Sequence, residues 1–524
     1  MSLNPATFTP AQAWAPLKAQ DWTLDNARHL VQRIGFSATP DRVQQAFKLG
    51  LPGTLDQAFG KIRPFTPPAS LNDYAQKRAD LLNLPAQATP PARPRAAAKA
   101  GAAAAATAAA TNNAATVAAQ SRQRLNQELN QLERQSFLDY AQGWLAFSAK
   151  PENSAQENLV MFLSNVLVVA QSKVKDPTRL FAHTNLLRNS WQNSYPNMLK
   201  AVTFSPAMIQ YLDLNTNERN GPNENYAREV MELFTLGEGH YTEGDIKEAA
   251  RALTGIVIRN EVGTFAQGRW DPGSKTVFGQ AGRWGADDVI DLIFQQPTSH
   301  NHLPKRFLAY YLSQAALPAP YLDELGRQWQ HAGLRVDLLA RLVFSSNIFY
   351  QPEFRGALIK SPIQYYLGLC QDLNLDVSPF EGIVYNTLRS MGQEPFNPPN
   401  VRGWLGGKNW INSSTLAARR QLVQQLFNPI NERTLNADQQ LKLSVERQAG
   451  RGVIVMDNER LQALANLSNE AIADQLLNYF LAGTTTTTYR SDILDYMQND
   501  QGPRVELVRD VAVALFQAPE YHVC

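Results

Sequence analysis

The chain has few of the side chains from which metal and redox sites are usually built. Its 524 residues include two cysteines, Cys370 and Cys524, and seven histidines. Two cysteines cannot supply a disulfide framework or a four-thiolate metal site. The Gly-x-Ser-x-Gly, His-Glu-x-x-His and Cys-x-x-Cys motifs and the dinucleotide-binding glycine fingerprint are missing as well. The common hydrolase, metalloprotease and redox classes therefore lose support.

The chain also lacks a large excess of charge of either sign. The 49 Lys and Arg residues nearly balance the 47 Asp and Glu residues, which leaves a formal charge of +2. Sequence-independent nucleic-acid binding depends on a broad positive field. We therefore expect no nucleic acid among the partners.

Long apolar runs are missing too. The longest run, residues 159–170, is interrupted by Ser164 and Asn165, and it is far shorter than the roughly 20 residues of a spanning helix. It predicts a buried core helix. The first 16 residues contain no basic segment followed by an apolar one, so no export signal is expected. These features predict a cytoplasmic protein, and the alternative is a periplasmic or secreted one whose signal has been removed.

What the sequence does contain is helical periodicity with marked ends. The run 24–34 has its apolar residues on one face, with Thr23 before it and Gly35 after it. Residues 154–157 and 242–245 have the composition of capping boxes. The pattern predicts an all-α protein, a large multi-helix globular fold.

One region departs from this pattern. Between Gly255 and Gly279, two short β-prone runs, 256–258 and 275–278, are separated by glycines and an Asp-Pro-Gly turn. We expect one small β hairpin or flap here.

Composition divides the chain into three parts. Residues 1–84 form an N-terminal helical part and residues 121–524 the main helical domain, while residues 85–120 are rich in Ala and Pro. Alanine favours helix but offers little side chain for core packing. The segment is predicted to be a frayed helix or a mobile loop, and it carries no chemistry.

Glu229 and Glu232 are the candidate catalytic residues. Their spacing places both carboxylates on one face of a helix. Paired carboxylates serve as acid and base in glycoside hydrolysis when one of them is desolvated. The alternative is a solvated helix face on which Arg228 offsets the charge.

A Trp-rich loop is the candidate binding site. Two indole faces beside amide side chains and an exposed helix start can receive a sugar ring or an anion. The alternative is a tight connection whose tryptophans fill the core. The predicted binding residues are Asn223, Asn225, Arg228, Trp404, Lys408 and Trp410.

A cation site is predicted between residues 213 and 224. Asp213, Asn215, Asn217 and Glu224 fall at positions 1, 3, 5 and 12 of a calcium-loop spacing. Calcium is the single cofactor candidate, although Glu218 replaces the glycine of the sharp turn. The alternative is that Asn223 caps the following helix and that Glu224 complements its dipole.

Several long strings resemble one family, the bacterial "domain of unknown function 1800" proteins. The resemblance extends from Trp22 to the end of the chain except for the Ala-rich insertion. It implies an α-helical fold and a bacterial source, and it implies no activity. The strings are Pro222-Asn-Glu-Asn-Tyr-Ala-Arg-Glu229, Glu232-Leu-Phe-Thr-Leu-Gly237, Ala249-Ala-Arg-Ala-Leu-Thr-Gly255 and Pro398-Pro-Asn-Val-Arg-Gly-Trp404.

The departures from the family pattern concern histidine. Where similar proteins usually have Trp-His-Asn-His-Phe, this chain has Leu163-Ser-Asn-Val-Leu167, and Trp270 stands in place of a third histidine. Because imidazole is the commonest transition-metal ligand and general base near neutral pH, chemistry that relied on these positions is not expected in this chain. The alternative is that those histidines are only structural in the similar proteins. The sequence therefore favours a binding or assembly protein that engages a polysaccharide or a partner protein, as a degenerate relative of an enzyme. The alternative is a hydrolase of a carbohydrate or cell-envelope polymer that uses Glu229 and Glu232.

Overall fold

Helices carry most of the chain, as the periodicity predicts. The computed structural model describes residues 8–83, 102–480 and 486–524. Short 3₁₀ turns and one π-helical segment, Val230–Thr235, lie between the α-helices. The α-helices are α1 Pro10–Trp14, α2 Leu24–Ile34, α3 Pro40–Phe59, α4 Ala69–Asn83, α5 Ala102–Ala149, α6 Ser154–Val166, α7 Gln171–Val174, α8 Pro177–Ser190, α9 Tyr195–Thr203, α10 Pro206–Tyr211, α11 Asn225–Glu229, α12 Glu243–Ala252, α13 Ala286–Phe294, α14 Ser299–Tyr311, α15 Ala319–His331, α16 Val336–Ser345, α17 Pro362–Asp372, α18 Glu381–Ser390, α19 Ser413–Phe427, α20 Ala437–Gln448, α21 Asn458–Ala465, α22 Asn469–Phe480, α23 Thr486–Asn499 and α24 Arg504–Phe516.

Two small antiparallel hairpins interrupt the helices. Strand β1, Ile256–Arg259, pairs with β2, Val262–Phe265, and β3, Lys275–Val277, pairs with β4, Gln280–Gly282. Each predicted β-prone run thus begins a hairpin of its own. The fold is mostly α with a small β region.

Local capping signals identify some helix starts and not others. The Thr23 hydroxyl accepts the N–H of Asn26, and the capping box at Thr242 forms as predicted. The box predicted at residues 154–157 is wrong, because α6 already begins at Ser154 and its N-cap is Asn153. The reason is that Glu157 is fully buried and accepts hydrogen bonds from Nε and Nη2 of Arg188, at 2.7 and 2.8 Å.

The main apolar core joins both ends of the chain. Buried residues from Trp14 to Tyr521 belong to one continuous cluster, so the N-terminal helices and the main helical part share a core. Of the Ala-rich insertion, residues 84–101 lie outside the described residues, and residues 102–120 form the first part of the 48-residue helix α5.

None of the helices in the described ranges is both long enough and apolar enough to cross a membrane.

Candidate functional site

A cavity of about 340 Å³ lies where α6, α8, α14 and α17 meet the loop of residues 398–410. This volume falls within the range of small-molecule sites in proteins. Most of the lining is apolar, and it includes Val160, Val166, Leu180, Leu233, Ile363, Phe396, Trp404 and Trp410.

Asn165, at the end of α6, fixes the Trp-bearing loop to the cavity. Its Oδ1 accepts the N–H of Trp404 at 2.7 Å, and its Nδ2 donates to the carbonyl of Trp404 at 3.1 Å. The side-chain amide thus binds the loop backbone as a neighbouring strand would. Gly403 has a φ of +76°, and a Cβ at this position would lie 2.2 Å from Oδ1 of Asn165. Only glycine fits this close approach without a shift of the backbone.

The structure brings both predicted tryptophans of this loop to the cavity. Trp410 is buried and Trp404 half-buried, and both line the cavity. Leu405 lines it as well but is 70% exposed. Lys408 is exposed and does not line the cavity. Trp410 therefore agrees with both interpretations of the loop, because its side chain is buried in the core and also forms part of the cavity wall.

The cavity wall carries positive charge. Among the described residues that line it are three arginines, Arg33, Arg306 and Arg402, and no Asp or Glu. Nη2 of Arg306 donates to the carbonyl of Asn165 at 2.9 Å. Burial lowers the pKa of the Arg306 guanidinium, and the charge of Arg402 lowers it further. Sequence patterns gave no signal for Arg306, because α14 lies far from the loop along the chain.

His183 also lines the cavity, but neither of its ring nitrogens is free. Nδ1 lies 3.0 Å from Oγ of Ser205, and Nε2 lies 3.1 Å from the carbonyl of Leu167. Burial lowers the pKa of His183 to about 4. The imidazole is therefore neutral at physiological pH and positions the segment after α6.

Ser164 and Val166 line the same cavity. These are the two positions at which the sequence resemblance implies histidine in similar proteins. The chain thus places a hydroxyl and an isopropyl group at a cavity wall where imidazoles would bring titratable nitrogens.

The two candidate catalytic acids lie beside the loop and outside the cavity lining. Glu229 ends α11, and Glu232 belongs to the π-helical segment; such segments are frequent at functional sites. Nη2 of Arg402 donates to Glu232 and to Glu238, both at 2.8 Å, and the Tyr241 hydroxyl donates to Glu232 at 2.8 Å. Arg402 thereby links Glu232 to the Trp-bearing loop.

Glu229 differs from its neighbour. It is half-buried, and its carboxylate has no hydrogen bond or ion pair with the described residues. Burial raises the pKa of Glu229, and the charge of Glu232 raises it further. The two acids are therefore distinct in environment, as acid and base partners usually are.

Three other predicted binding residues serve the local structure. Oδ1 of Asn223 accepts the N–H of Asn225 at 2.9 Å at the start of α11. The Asn225 amide donates to the carbonyl of Leu212 at 3.2 Å. Arg228 donates to both carboxylate oxygens of Glu243, at 2.8 and 2.9 Å. None of the three lines the cavity.

Both carboxylates of the predicted calcium loop already have cationic partners. Asp213 pairs with Lys173 at 2.7 Å, and Glu224 pairs with Arg228 at 3.3 Å.

The side-chain amide of Asn217 and the backbone carbonyl of Asn215 are engaged as well. Asn217 is fully buried, donates to the carbonyl of Ala250 at 2.8 Å and accepts the N–H of Asn223 at 2.9 Å. The backbone carbonyl of Asn215 accepts from Arg269 at 3.0 Å. Within the described ranges, no group of three or more His, Cys, Asp or Glu is placed to hold a metal ion. Calcium binding stays a prediction, and it would have to displace these contacts.

Comparison with known proteins places the chain in a family. No curated protein matches the sequence, and no solved structure matches it either. A family described as "Protein of unknown function (DUF1800)" matches residues 29–523, and the chain therefore belongs to that family.

Proposed function

We propose that the protein is a binding protein that holds a compact organic group in the cavity beneath Trp404. The observation that supports this proposal is the cavity itself, about 340 Å³ in volume, with an apolar wall and a half-buried indole beside it. Ligand sites are typically concave and mostly apolar, with a few fixed polar groups. The side chain of Asn165 holds the loop that carries Trp404 in place at the edge of the cavity.

The size of the cavity limits how a large partner can bind. A polysaccharide or a partner protein would be recognised through one terminal group that enters the cavity. An indole face packs on either a sugar ring or an aromatic ring. A free small molecule is the simplest occupant and is the one to test first.

A ligand screen tests the proposal. Thermal shift measurements with a panel of monosaccharides, aromatic acids and their amides should yield at least one compound that raises the melting temperature. Ser164→Trp should abolish that shift, because an indole at position 164 fills the cavity from α6. Lys305→Gln, which changes an exposed side chain of α14 that does not line the cavity, is the control. The proposal is wrong if no compound stabilises the protein, or if Ser164→Trp leaves the shift unchanged.

The hydrolase alternative is supported by one specific observation, the environment of Glu229. A half-buried carboxyl group with a raised pKa suits a general acid, and the ion-paired Glu232 suits the charged partner. Reducing-end release from a panel of envelope and plant polysaccharides should then be measurable and should be lost in Glu229→Gln. Absence of release from every polymer would exclude this function for those substrates.

A further inference from the structure

The three arginines of the cavity wall differ in how many of their guanidinium N–H groups already have hydrogen-bond or ion-pair partners in the protein. Nη1 of Arg33 donates to the carbonyls of Tyr311 and Leu312, and its Nη2 donates to those of Phe354 and Cys524, all within 3.0 Å. Nε of Arg33 is sealed from solvent. This guanidinium has no N–H left that a ligand can reach.

Arg402 is also occupied, because it makes ion pairs with Glu232 and Glu238 at 2.8 Å. A ligand anion would have to compete with two carboxylates for it. The side chain is 54% exposed, so solvent screens its charge further. Neither Arg33 nor Arg402 is therefore suited to hold a ligand anion.

Arg306 is the exception. Its one hydrogen bond goes to the carbonyl of Asn165, and no Asp or Glu in the described ranges lies within ion-pair distance of it. Its Nε and Nη1 have no acceptor among the residues that the structure describes, and they are not sealed from solvent. An arginine stays charged at any physiological pH, so it cannot relieve burial by losing its proton. A largely buried cation without an anion is costly.

We propose that the ligand of this cavity carries a carboxylate, which binds the free N–H groups of Arg306 while its apolar or aromatic body packs against the wall formed by Val166, Trp404 and Trp410. This inference rests on the proposed binding function. A guanidinium and a carboxylate match in planar geometry, which strengthens their hydrogen bonds. The ligand carboxylate would then provide the negative charge next to Arg306 that no Asp or Glu of the described residues provides.

The number of available cations favours a carboxylate over a phosphate group. Only one of the three guanidinium groups is free, and the rest of the wall is mostly apolar. A dianionic phosphate would leave part of its charge unpaired in these surroundings, which is unfavourable. A monoanion matches the single free arginine.

Matched acids and amides provide the test. We would measure binding of 3-phenylpropionate, 3-phenylpropionamide, indole-3-acetate and indole-3-acetamide to the full chain by isothermal titration calorimetry. Each acid should bind at least about tenfold more tightly than its amide, because the amide cannot make the charge-assisted pair. Arg306→Gln should remove that difference, and Arg306→Lys should retain part of it. Lys305→Gln removes an exposed charge from the same helix and should leave the difference unchanged.

The outcomes separate this inference from the binding function. If acids and amides bind the wild-type protein equally well, the carboxylate assignment is wrong and binding in the cavity stands. If inorganic phosphate displaces indole-3-acetate at equal concentration, the assignment to a monoanion is wrong. If none of the four compounds binds and the wider panel also fails, both proposals are wrong. Circular dichroism shows whether Arg306→Gln is folded. If it is not, the difference in affinity between acid and amide is compared in the other two variants. Arg306→Lys should retain part of that difference and Lys305→Gln all of it.

Discussion

The amide of Asn165 binds both backbone groups of Trp404, with one hydrogen bond of 2.7 Å and another of 3.1 Å. The two residues are 239 positions apart. The last turn of α6 is thereby joined to the loop that closes the cavity. The backbone carbonyl of Asn165 also accepts a hydrogen bond from Arg306, so this single residue connects the loop, α6 and the free cation of the wall.

Replacing this amide should therefore release the loop. Asn165→Leu keeps the approximate volume but leaves the N–H and carbonyl of Trp404 without partners. We expect the free energy of unfolding to fall by about 1–3 kcal/mol and the Trp404 fluorescence to shift to the red as the indole becomes more exposed. Asn499→Leu, which replaces an exposed amide in the same way, is the comparison. An unchanged emission spectrum in Asn165→Leu would contradict the role assigned to Asn165.

Gly403→Ala tests the close approach between the loop and α6. The new Cβ would meet Oδ1 of Asn165 at 2.2 Å, in addition to the cost of a φ of +76°. The matched control is Gly450→Ala, since Gly450 has a φ of +72° and open space around its Cβ position. We expect Gly403→Ala to lower the melting temperature by several degrees more than Gly450→Ala. Equal losses would mean that backbone strain alone accounts for the effect.

Glu229 should make stability depend on pH. Because burial raises the pKa of Glu229 in the folded protein, the folded state binds more protons than the unfolded state once the pH exceeds the ordinary glutamate pKa near 4.5. Stability is thus lost as pH rises through that window. Glu229→Gln should melt at a higher temperature than the wild type at pH 7, and the two should converge below pH 4.5.

The control for this measurement is Glu459→Gln, which removes an exposed carboxylate and should track the wild type across the pH range. A melting temperature of Glu229→Gln that stays parallel to the wild type from pH 4 to pH 8 would show that burial does not perturb this group.

The Ala-rich segment should be dispensable for the core. Helices α4 and α5 run antiparallel, since Oγ of Ser136 donates to the carbonyl of Ser70 and Lys77 pairs with Glu128 at 3.1 Å. Their register places Asn83 close to residues just after 120. Deleting Pro90 to Ala119 therefore leaves residues 84–89 as a sufficient connection, and the melting temperature should fall by less than about 5 °C. A larger fall would show that the segment packs on the rest of the protein.

The sequence by itself determined the fold class and several local features. Thr23 and the capping box at Thr242 could be predicted because a cap is satisfied within three or four residues. The β-prone runs at 256–258 and 275–278 could be predicted for the same reason, since each strand pairs with its immediate neighbour in the chain. The family strings indicated the membership that the match over residues 29–523 establishes.

Only the tertiary structure decided which polar residues meet. Glu157 has the sequence context of a cap, but it pairs with Arg188, 31 residues away. The reason is that leaving a buried carboxylate without a cation costs more free energy than leaving a helix start without a side-chain cap. Likewise Asn165, Arg306 and Trp404 come together from three distant segments, and no spacing rule connects them. Glu229 and Glu232 were found from helical periodicity, yet their position outside the cavity wall depends on how α11 packs. Local hydrogen bonding is encoded within a turn of the chain, whereas a cavity and the charges in its wall exist only after the helices have packed.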